Sequence, residues 1–123
     1  MKFFIVALSL LMASMAHAAE NREFHVKNAE GLVEICGVSK EDPQYEKAKA
    51  FCHGYLVGAY QYYNATVEEK DRFICSSNQN ISLSEVTNSF VAWAKRHPEY
   101  MKDQAADTLF RYLGEKYPCG SGK

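Results

Sequence analysis

From residue 28 onward, apolar residues recur along this chain at intervals of three and four, which is the spacing of a buried helix face. No segment alternates apolar and polar residues with the period of two that indicates a strand. Polar segments and segments containing glycine or proline separate four such stretches. We therefore expect an all-α fold, a compact four-helix domain built of two helical hairpins.

The first two predicted helices have recognisable start and stop signals. Asn28 can cap the first helix, and Gly37 follows its last apolar residue as a C-terminal stop. Asp42 is expected to be the N-cap of the second helix, with Pro43 at its first position. The predicted buried faces are Leu32, Ile35 and Cys36 in the first helix, and Ala48, Phe51, Cys52, Tyr55, Ala59, Tyr62 and Tyr63 in the second.

A long polar loop, residues 64–81, separates the second helix from the third. The third helix opens at a capping box in which Ser82 and Glu85 are the paired residues. Pro98 ends that helix or opens the fourth, which breaks at Pro118. The predicted buried stripes are Leu83, Val86, Phe90, Trp93 and Ala94 in the third helix, and Met101, Ala105, Leu109, Tyr112 and Leu113 in the fourth.

The N-terminus has the three parts of a secretory signal peptide. Lys2 precedes an apolar run at residues 3–13, and the small residues of Ala16-His17-Ala18 follow it. The run is too short to span a bilayer as a helix, and no second apolar run of spanning length follows it, so no membrane association is expected after cleavage. We expect export to the periplasm or beyond, with residues 1–18 as the signal peptide, 19–27 as a lead-in, 28–119 as the domain and 120–123 as a tail.

Charge and cysteine content narrow the possible partners and the redox state. The chain carries 15 acidic residues and, without Lys2, 13 basic ones that do not cluster, so a nucleic-acid partner is not expected. Four cysteines in a small exported domain indicate two disulfides. A zinc site is disfavoured, because no two of these cysteines have the Cys-x-x-Cys spacing.

The four cysteines allow three pairings. If the third and fourth helices form a hairpin that turns near Pro98, Cys75 and Cys119 reach similar heights along it. This favours a Cys75–Cys119 bond together with a Cys36–Cys52 bond. The alternative of Cys52–Cys75 with Cys36–Cys119 stays open, because the loop after the second helix is long enough to double back.

Gly54 and Gly58 lie four apart in the second predicted helix and therefore share one face of it. Each costs a helix about 1 kcal/mol relative to alanine, which close packing of another helix against the smooth face can offset. That helix can belong to the same domain or to a second copy in a dimer. We expect no metal, no cofactor and no enzymatic activity, since His25, His53 and His97 are scattered and no carboxylates cluster with them.

Four tyrosines fall between residues 55 and 63, which is too many for one core face. Because exposed tyrosines favour protein interfaces, we predict a partner-binding surface at the aromatic end of the second helix. The following loop adds charged side chains to a segment that Cys75 restrains. The predicted partner-binding residues are Tyr60, Tyr63, Asn64, Glu68, Glu69, Asp71 and Arg72.

Short motifs follow one another in a distinctive order over about residues 30–119. They are Leu32-x-x-x-Cys36, Cys52-x-Gly54-Tyr55-Leu56-x-Gly58, Phe73-Ile74-Cys75, Ile81-Ser82, His97-Pro98-Glu99, Ala105 and Tyr117-Pro118-Cys119. In this order they resemble the Tai/Rap immunity proteins of type VI secretion systems. The resemblance implies a small helical periplasmic protein, often a homodimer, that binds a peptidoglycan amidase toxin and blocks its active-site cleft. The alternative function is that of a small periplasmic stress chaperone of the acid-response type.

Overall fold

Four α-helices and two short 3₁₀ turns make up the computed structural model, which describes residues 23–76 and 80–120. The helices are α1 (Ala29–Cys36), α2 (Tyr45–Thr66), α3 (Leu83–Lys95) and α4 (Ala105–Lys116), and the 3₁₀ turns are Glu69–Asp71 and Pro98–Tyr100. The described residues form no strand, and their β-type pairing is limited to a bridge between Ile74 and Pro118. The all-α, four-helix prediction is confirmed. The predicted signal peptide, residues 1–18, lies outside the described residues.

Two helix starts follow the predicted capping chemistry. The Oδ1 atom of Asn28 accepts a hydrogen bond from the Gly31 amide at 3.1 Å, and α1 ends at Gly37. Ser82 and Glu85 form a complete capping box at the start of α3, in which each side chain accepts from the backbone amide of the other residue. These side chains satisfy amides that the first turn of a helix leaves without partners.

The start of α2 differs from the prediction, because Gln44 rather than Asp42 is its N-cap. The Asp42 carboxylate accepts from the Gln44 amide at 2.7 Å, and the Asp42 carbonyl accepts from the Tyr45 amide at 2.9 Å. The two bonds close a tight turn around Pro43, so the helix begins three residues after Asp42. Pro98 likewise opens a separate 3₁₀ turn, which is why Met101 precedes α4 rather than lying in it.

The core lies around α1, which packs against each of the other three helices. The buried face of α2 is formed by Ala48, Cys52, Leu56 and Tyr63. The predicted assignment of Tyr62 to this face is wrong, because its side chain is 70% exposed. Leu56, which was not assigned to the face, follows Cys52 by one helical turn and is 4% exposed.

Tyr112 supplies a neutral polar group to this core. Its ring packs against Phe90 and Trp93, with centroid distances of 5.5 Å and 5.8 Å. Its hydroxyl forms a hydrogen bond with the Ser89 hydroxyl. Burial raises the pKa of Tyr112 to about 12, so the phenol stays protonated throughout the physiological pH range.

Both disulfides form, and the favoured pairing is confirmed. Cys36–Cys52 joins the end of α1 to the first half of α2, and Cys75–Cys119 joins the segment after α2 to the segment after α4. Because all four cysteines are oxidised, they cannot serve as thiolate ligands for zinc. None of the helices that the structure describes has both the length and the apolar character needed to cross a membrane.

Candidate protein-binding surface

The aromatic end of α2 and residues 67–76, which we call the anchored loop, are joined through one phenol. The Tyr63 hydroxyl accepts hydrogen bonds from the Phe73 amide at 2.7 Å and from the Ile74 amide at 3.0 Å. Phe73 packs edge-on against the Tyr63 ring, with centroids 5.3 Å apart. One side chain of α2 therefore holds two consecutive backbone amides of the loop in place.

Arg72 ties the same loop back to the end of α2. Its Nη2 atom donates to the Asn64 carbonyl at 3.0 Å, and its Nε atom donates to the Val67 carbonyl at 3.3 Å. The last carbonyls of a helix lack partners within the helix and carry partial negative charge. The guanidinium satisfies these carbonyls and closes the loop over the helix end.

The far side of the anchored loop is fixed to the segment after α4. The Cys75 amide donates to the Tyr117 carbonyl at 2.8 Å, and the Cys119 amide donates to the Phe73 carbonyl at 3.3 Å. The Cys75–Cys119 disulfide lies beside these two bonds. The loop is thus held along both sides, by α2 on one and by the end of the fold on the other.

The side chains that the anchored loop and the end of α2 present to solvent include aromatic and acidic ones, and Lys70 is also exposed. The side chain of Tyr62 is 70% exposed and that of Phe73 is 51% exposed. Phe73 rests on α4 at Gly114, where an added Cβ would lie 3.0 Å from the ring. Glu68, Glu69 and Asp71 are also exposed. We call Tyr62, Glu68, Glu69, Asp71 and Phe73 the exposed set.

The structure separates the predicted partner-binding residues into two groups. Glu68, Glu69 and Asp71 are exposed, as a contact surface requires. Tyr63 is 4% exposed and belongs to the core, so its assignment to the surface is wrong. Arg72 and Asn64 are half-buried and bonded to each other, which makes them supports of the loop.

Tyr60 is also a support rather than a free contact residue. It is half-buried and stacks on Tyr63, with centroids 6.2 Å apart, and its hydroxyl lies 3.2 Å from the Ser76 hydroxyl. Tyr62 and Phe73 are exposed aromatic residues that the sequence pattern did not single out. One signal could have found Phe73, because it follows the charged run of residues 68–72 directly.

Gly54 and Gly58 lie on an open face of α2. A Cβ atom built at either position meets nothing within 4 Å among the residues that the structure describes. Packing of another helix of this domain against them is therefore excluded within that part of the chain. The alternative, a contact with a second copy, stays a prediction. Val57, between the two glycines, is 39% exposed and adds an apolar side chain.

The three histidines of the described residues lie apart, and two of them pair with carboxylates. His97 packs at a tilt against Trp93, with centroids 4.3 Å apart, and pairs with Glu99 at 2.9 Å. The hydrogen bond from His97 lowers the pKa of the Glu99 carboxyl. His25 pairs with Glu23 in an exposed position. Over residues 23–76 and 80–120, no three histidine, cysteine or acidic side chains come close enough to hold a metal ion.

Comparison with known proteins gives a match to a family model. The model of a family described as Rap1a immunity proteins matches residues 28–119. No curated protein and no solved structure matches the chain. The matched range contains the four helices, both disulfides and the whole anchored loop.

Proposed function

This chain belongs to the Rap1a immunity protein family, and on that premise we propose that it binds a peptidoglycan amidase toxin of type VI secretion and blocks its active-site cleft. Membership of an immunity family implies a toxin protein as the partner. Such proteins generally act by binding, and we propose no catalytic activity for this one. The amidase is proposed because the order of motifs resembles that of immunity proteins against this toxin class.

The observation that carries the proposal is the way the anchored loop is held. Tyr63, Arg72 and the Cys75–Cys119 disulfide fix its backbone from both sides before any partner arrives. Ordering a free loop on binding reduces affinity, and a loop that is already ordered avoids this loss. A rigid loop with exposed aromatic and acidic side chains is suited to enter a cleft and exclude substrate.

The exposed set indicates the character of the complementary surface. Tyr62 and Phe73 supply the kind of aromatic side chain that often dominates binding energy at interfaces. Glu68, Glu69 and Asp71 are carboxylates that a basic rim would attract. The ion pair between Glu68 and Lys70 is exposed and contributes little to holding the loop, so it can rearrange on binding.

We propose the periplasm as the site of action. Peptidoglycan lies outside the cytoplasm, so a protein that blocks an amidase acting there must be exported. The predicted signal peptide at residues 1–18 supplies the route. The oxidised state of all four cysteines also fits an oxidising compartment.

Replacing Tyr62 with alanine is expected to weaken toxin binding by about 2 kcal/mol, or roughly thirty-fold. The ring is exposed, so its loss should leave the melting temperature of the free protein nearly unchanged. Titration calorimetry with a peptidoglycan amidase of type VI secretion measures the change in affinity, and an assay of peptidoglycan hydrolysis measures the change in inhibition. The matched control is Tyr62→Phe, which keeps the ring and should bind within about threefold.

A second arm of this experiment tests the acidic residues. Reversing Glu68, Glu69 and Asp71 to lysine should slow association with the amidase at least about tenfold at low salt. If the wild-type protein neither binds the amidase nor inhibits it, the proposal fails. If binding is tight but none of these variants changes it, the proposed function stands and the exposed set is not the contact surface.

We also propose a homodimer formed through the open face of α2. Gly58→Leu is expected to raise the dimer dissociation constant at least about tenfold, because leucine fills the space that a second helix would occupy. The monomer should remain folded and gain up to about 1 kcal/mol, since the position is open and glycine is a poor helix former. Sedimentation velocity checks the association state.

Ala92→Leu is the control for this substitution, because it places leucine on the exposed side of α3 instead. It should leave the dimer intact. A wild-type protein that sediments as a monomer at high micromolar concentration would remove the dimer from the proposal. Unfolding of Gly58→Leu would instead mean that the α2 face is covered in the monomer.

A further inference from the structure

A cavity of about 350 Å³ lies far from the anchored loop, between the end of α1, the first half of α2 and the first turns of α3. Its apolar lining comes from Ile35, Cys36, Val38 and Val91. This volume lies in the range of small-molecule sites. From Lys49 to Asn64, α2 runs fifteen residues, which places the cavity about 22 Å along the helix from the loop.

The polar lining of the cavity is basic. Tyr45, Lys49 and His53 follow one another at intervals of four along α2 and line the same side. Lys40 lies in the segment between α1 and α2 and adds a second ammonium group. No aspartate or glutamate is among the lining residues. Two lysines that share a concave wall without a lining carboxylate attract an anion.

One of these ammonium groups is held in position by the protein. Nζ of Lys49 lies over the Tyr45 ring, 5.7 Å from its centroid, where the π-electrons favour a cation. The pKa of the adjacent Glu41 is lowered mainly by a hydrogen bond from Ser39, and the charge of Lys40 makes only a minor contribution. Lys40 is exposed, whereas Lys49 is half-buried, so Lys49 is the stronger determinant.

The α3 wall supplies neutral hydrogen-bonding groups. The Thr87 hydroxyl donates to the Leu83 carbonyl at 2.9 Å and is therefore already committed. The Ser84 hydroxyl and the Asn88 amide line the cavity and have no hydrogen-bond partner in the described part of the chain. Both can donate to an acceptor that enters from solvent.

We propose that this cavity binds a small carboxylate with an apolar body. Lys49 and Lys40 would pair with the carboxylate, Ser84 and Asn88 would donate to it, and the apolar lining would cover the rest of the ligand. The site is separate from the exposed set, so this inference does not rest on the proposed function. The carboxylate can come from a free small molecule with a terminal carboxylate or from an acidic side chain of a protein.

Amide chemical shifts in the full mature protein, titrated with matched probes, test the proposal. N-acetyl-L-leucine carries a terminal carboxylate on an apolar body, and N-acetyl-L-leucinamide is its neutral counterpart. The acid should shift amides at residues 37–40, 49–53 and 84–88 and bind at least about tenfold more tightly than the amide. Added salt should weaken the binding of the acid and leave the binding of the amide unchanged.

A second pair of probes distinguishes a carboxylate on a free small molecule from one on a protein side chain. Acetyl-Ala-Glu-Ala-amide places the carboxylate on a side chain, and acetyl-Ala-Gln-Ala-amide is its neutral counterpart. Preference for the glutamate peptide over N-acetyl-L-leucine would indicate a protein side chain, and the reverse would indicate a small molecule. Either preference supports a carboxylate site, provided that the charged probe outbinds its neutral counterpart.

Substitution then assigns the site to Lys49. Lys49→Gln should weaken the binding of N-acetyl-L-leucine at least about fivefold, because it removes the positioned charge. Lys95→Gln makes the same change on the exposed last turn of α3 and should have no effect. Circular dichroism confirms that both variants remain folded. The proposal is overturned if acid and amide bind equally, if neither shifts these amides at millimolar concentration, or if Lys49→Gln binds as the wild type does.

Discussion

Replacing Tyr63 with phenylalanine is expected to lower the free energy of unfolding by about 2–4 kcal/mol, although it removes a single oxygen atom. That oxygen accepts from the amides of Phe73 and Ile74, and Ile74 is buried. Without it, two backbone donors lose their partner, and each buried donor left unsatisfied costs about 1–3 kcal/mol. The ring is retained, so packing against Phe73 and Phe110 is unchanged.

Urea unfolding of the wild type and the variant measures this loss. Tyr60→Phe is the matched control, because it removes a phenol oxygen three residues earlier that meets the exposed Ser76 hydroxyl. Water can replace that surface bond, so the control should lose less than about 1 kcal/mol. Equal losses in the two variants would show that the Tyr63 hydroxyl does not hold the loop. Hydrogen exchange at the Phe73 and Ile74 amides should accelerate in Tyr63→Phe alone.

Removing the Cys75–Cys119 disulfide by replacing both cysteines with alanine is expected to lower the free energy of unfolding by about 4 kcal/mol. The bond closes a sequence separation of 44 residues, and the chain-entropy model gives a larger effect for a longer closed segment. The free energy of unfolding of a small domain is only about 5–15 kcal/mol in total, so the variant should be marginally stable.

The other disulfide is the matched control. Cys36–Cys52 closes a separation of 16 residues, and its removal should cost about 3 kcal/mol. The two variants should differ more clearly in binding than in stability, because only Cys75–Cys119 borders the anchored loop. At a temperature where both variants are folded, toxin affinity should fall for the first and remain near wild type for the second. Affinity that is equal in the two variants would contradict a role for the bond in ordering the loop.

Signals that depend on neighbouring residues predicted much of the fold. The capping residues Asn28 and Ser82 marked the starts of α1 and α3, because a cap acts on amides within three residues of it. A hairpin that turns near Pro98 brings Cys75 and Cys119 to similar heights, because helices rise by a constant distance per residue, and the observed disulfides have this pairing. Asp42 failed as a cap because its carboxylate stabilises a turn before the helix, and the same residue type favours both structures.

The candidate site was harder to predict, because its supports act across the fold. A tyrosine in an amphipathic helix can face the core or solvent, and the sequence did not distinguish Tyr62 from Tyr63. The hydroxyl of Tyr63 finds its partners ten and eleven residues later, on a loop whose path depends on Cys119. In the sequence, Arg72 is one of several charged residues in a run. Its hydrogen bonds to the Asn64 and Val67 carbonyls form only when the chain turns back over α2.

The central position of α1 has a consequence for cooperativity. With eight residues, α1 is too short to be stable as an isolated helix in water, so contacts with its neighbours must hold it. It packs against α2, α3 and α4, so the loss of any one of them removes part of its support. In turn, the loss of α1 removes from each of them a surface that it covers. The helical body should therefore unfold as one unit, in which no helix pair persists without the rest.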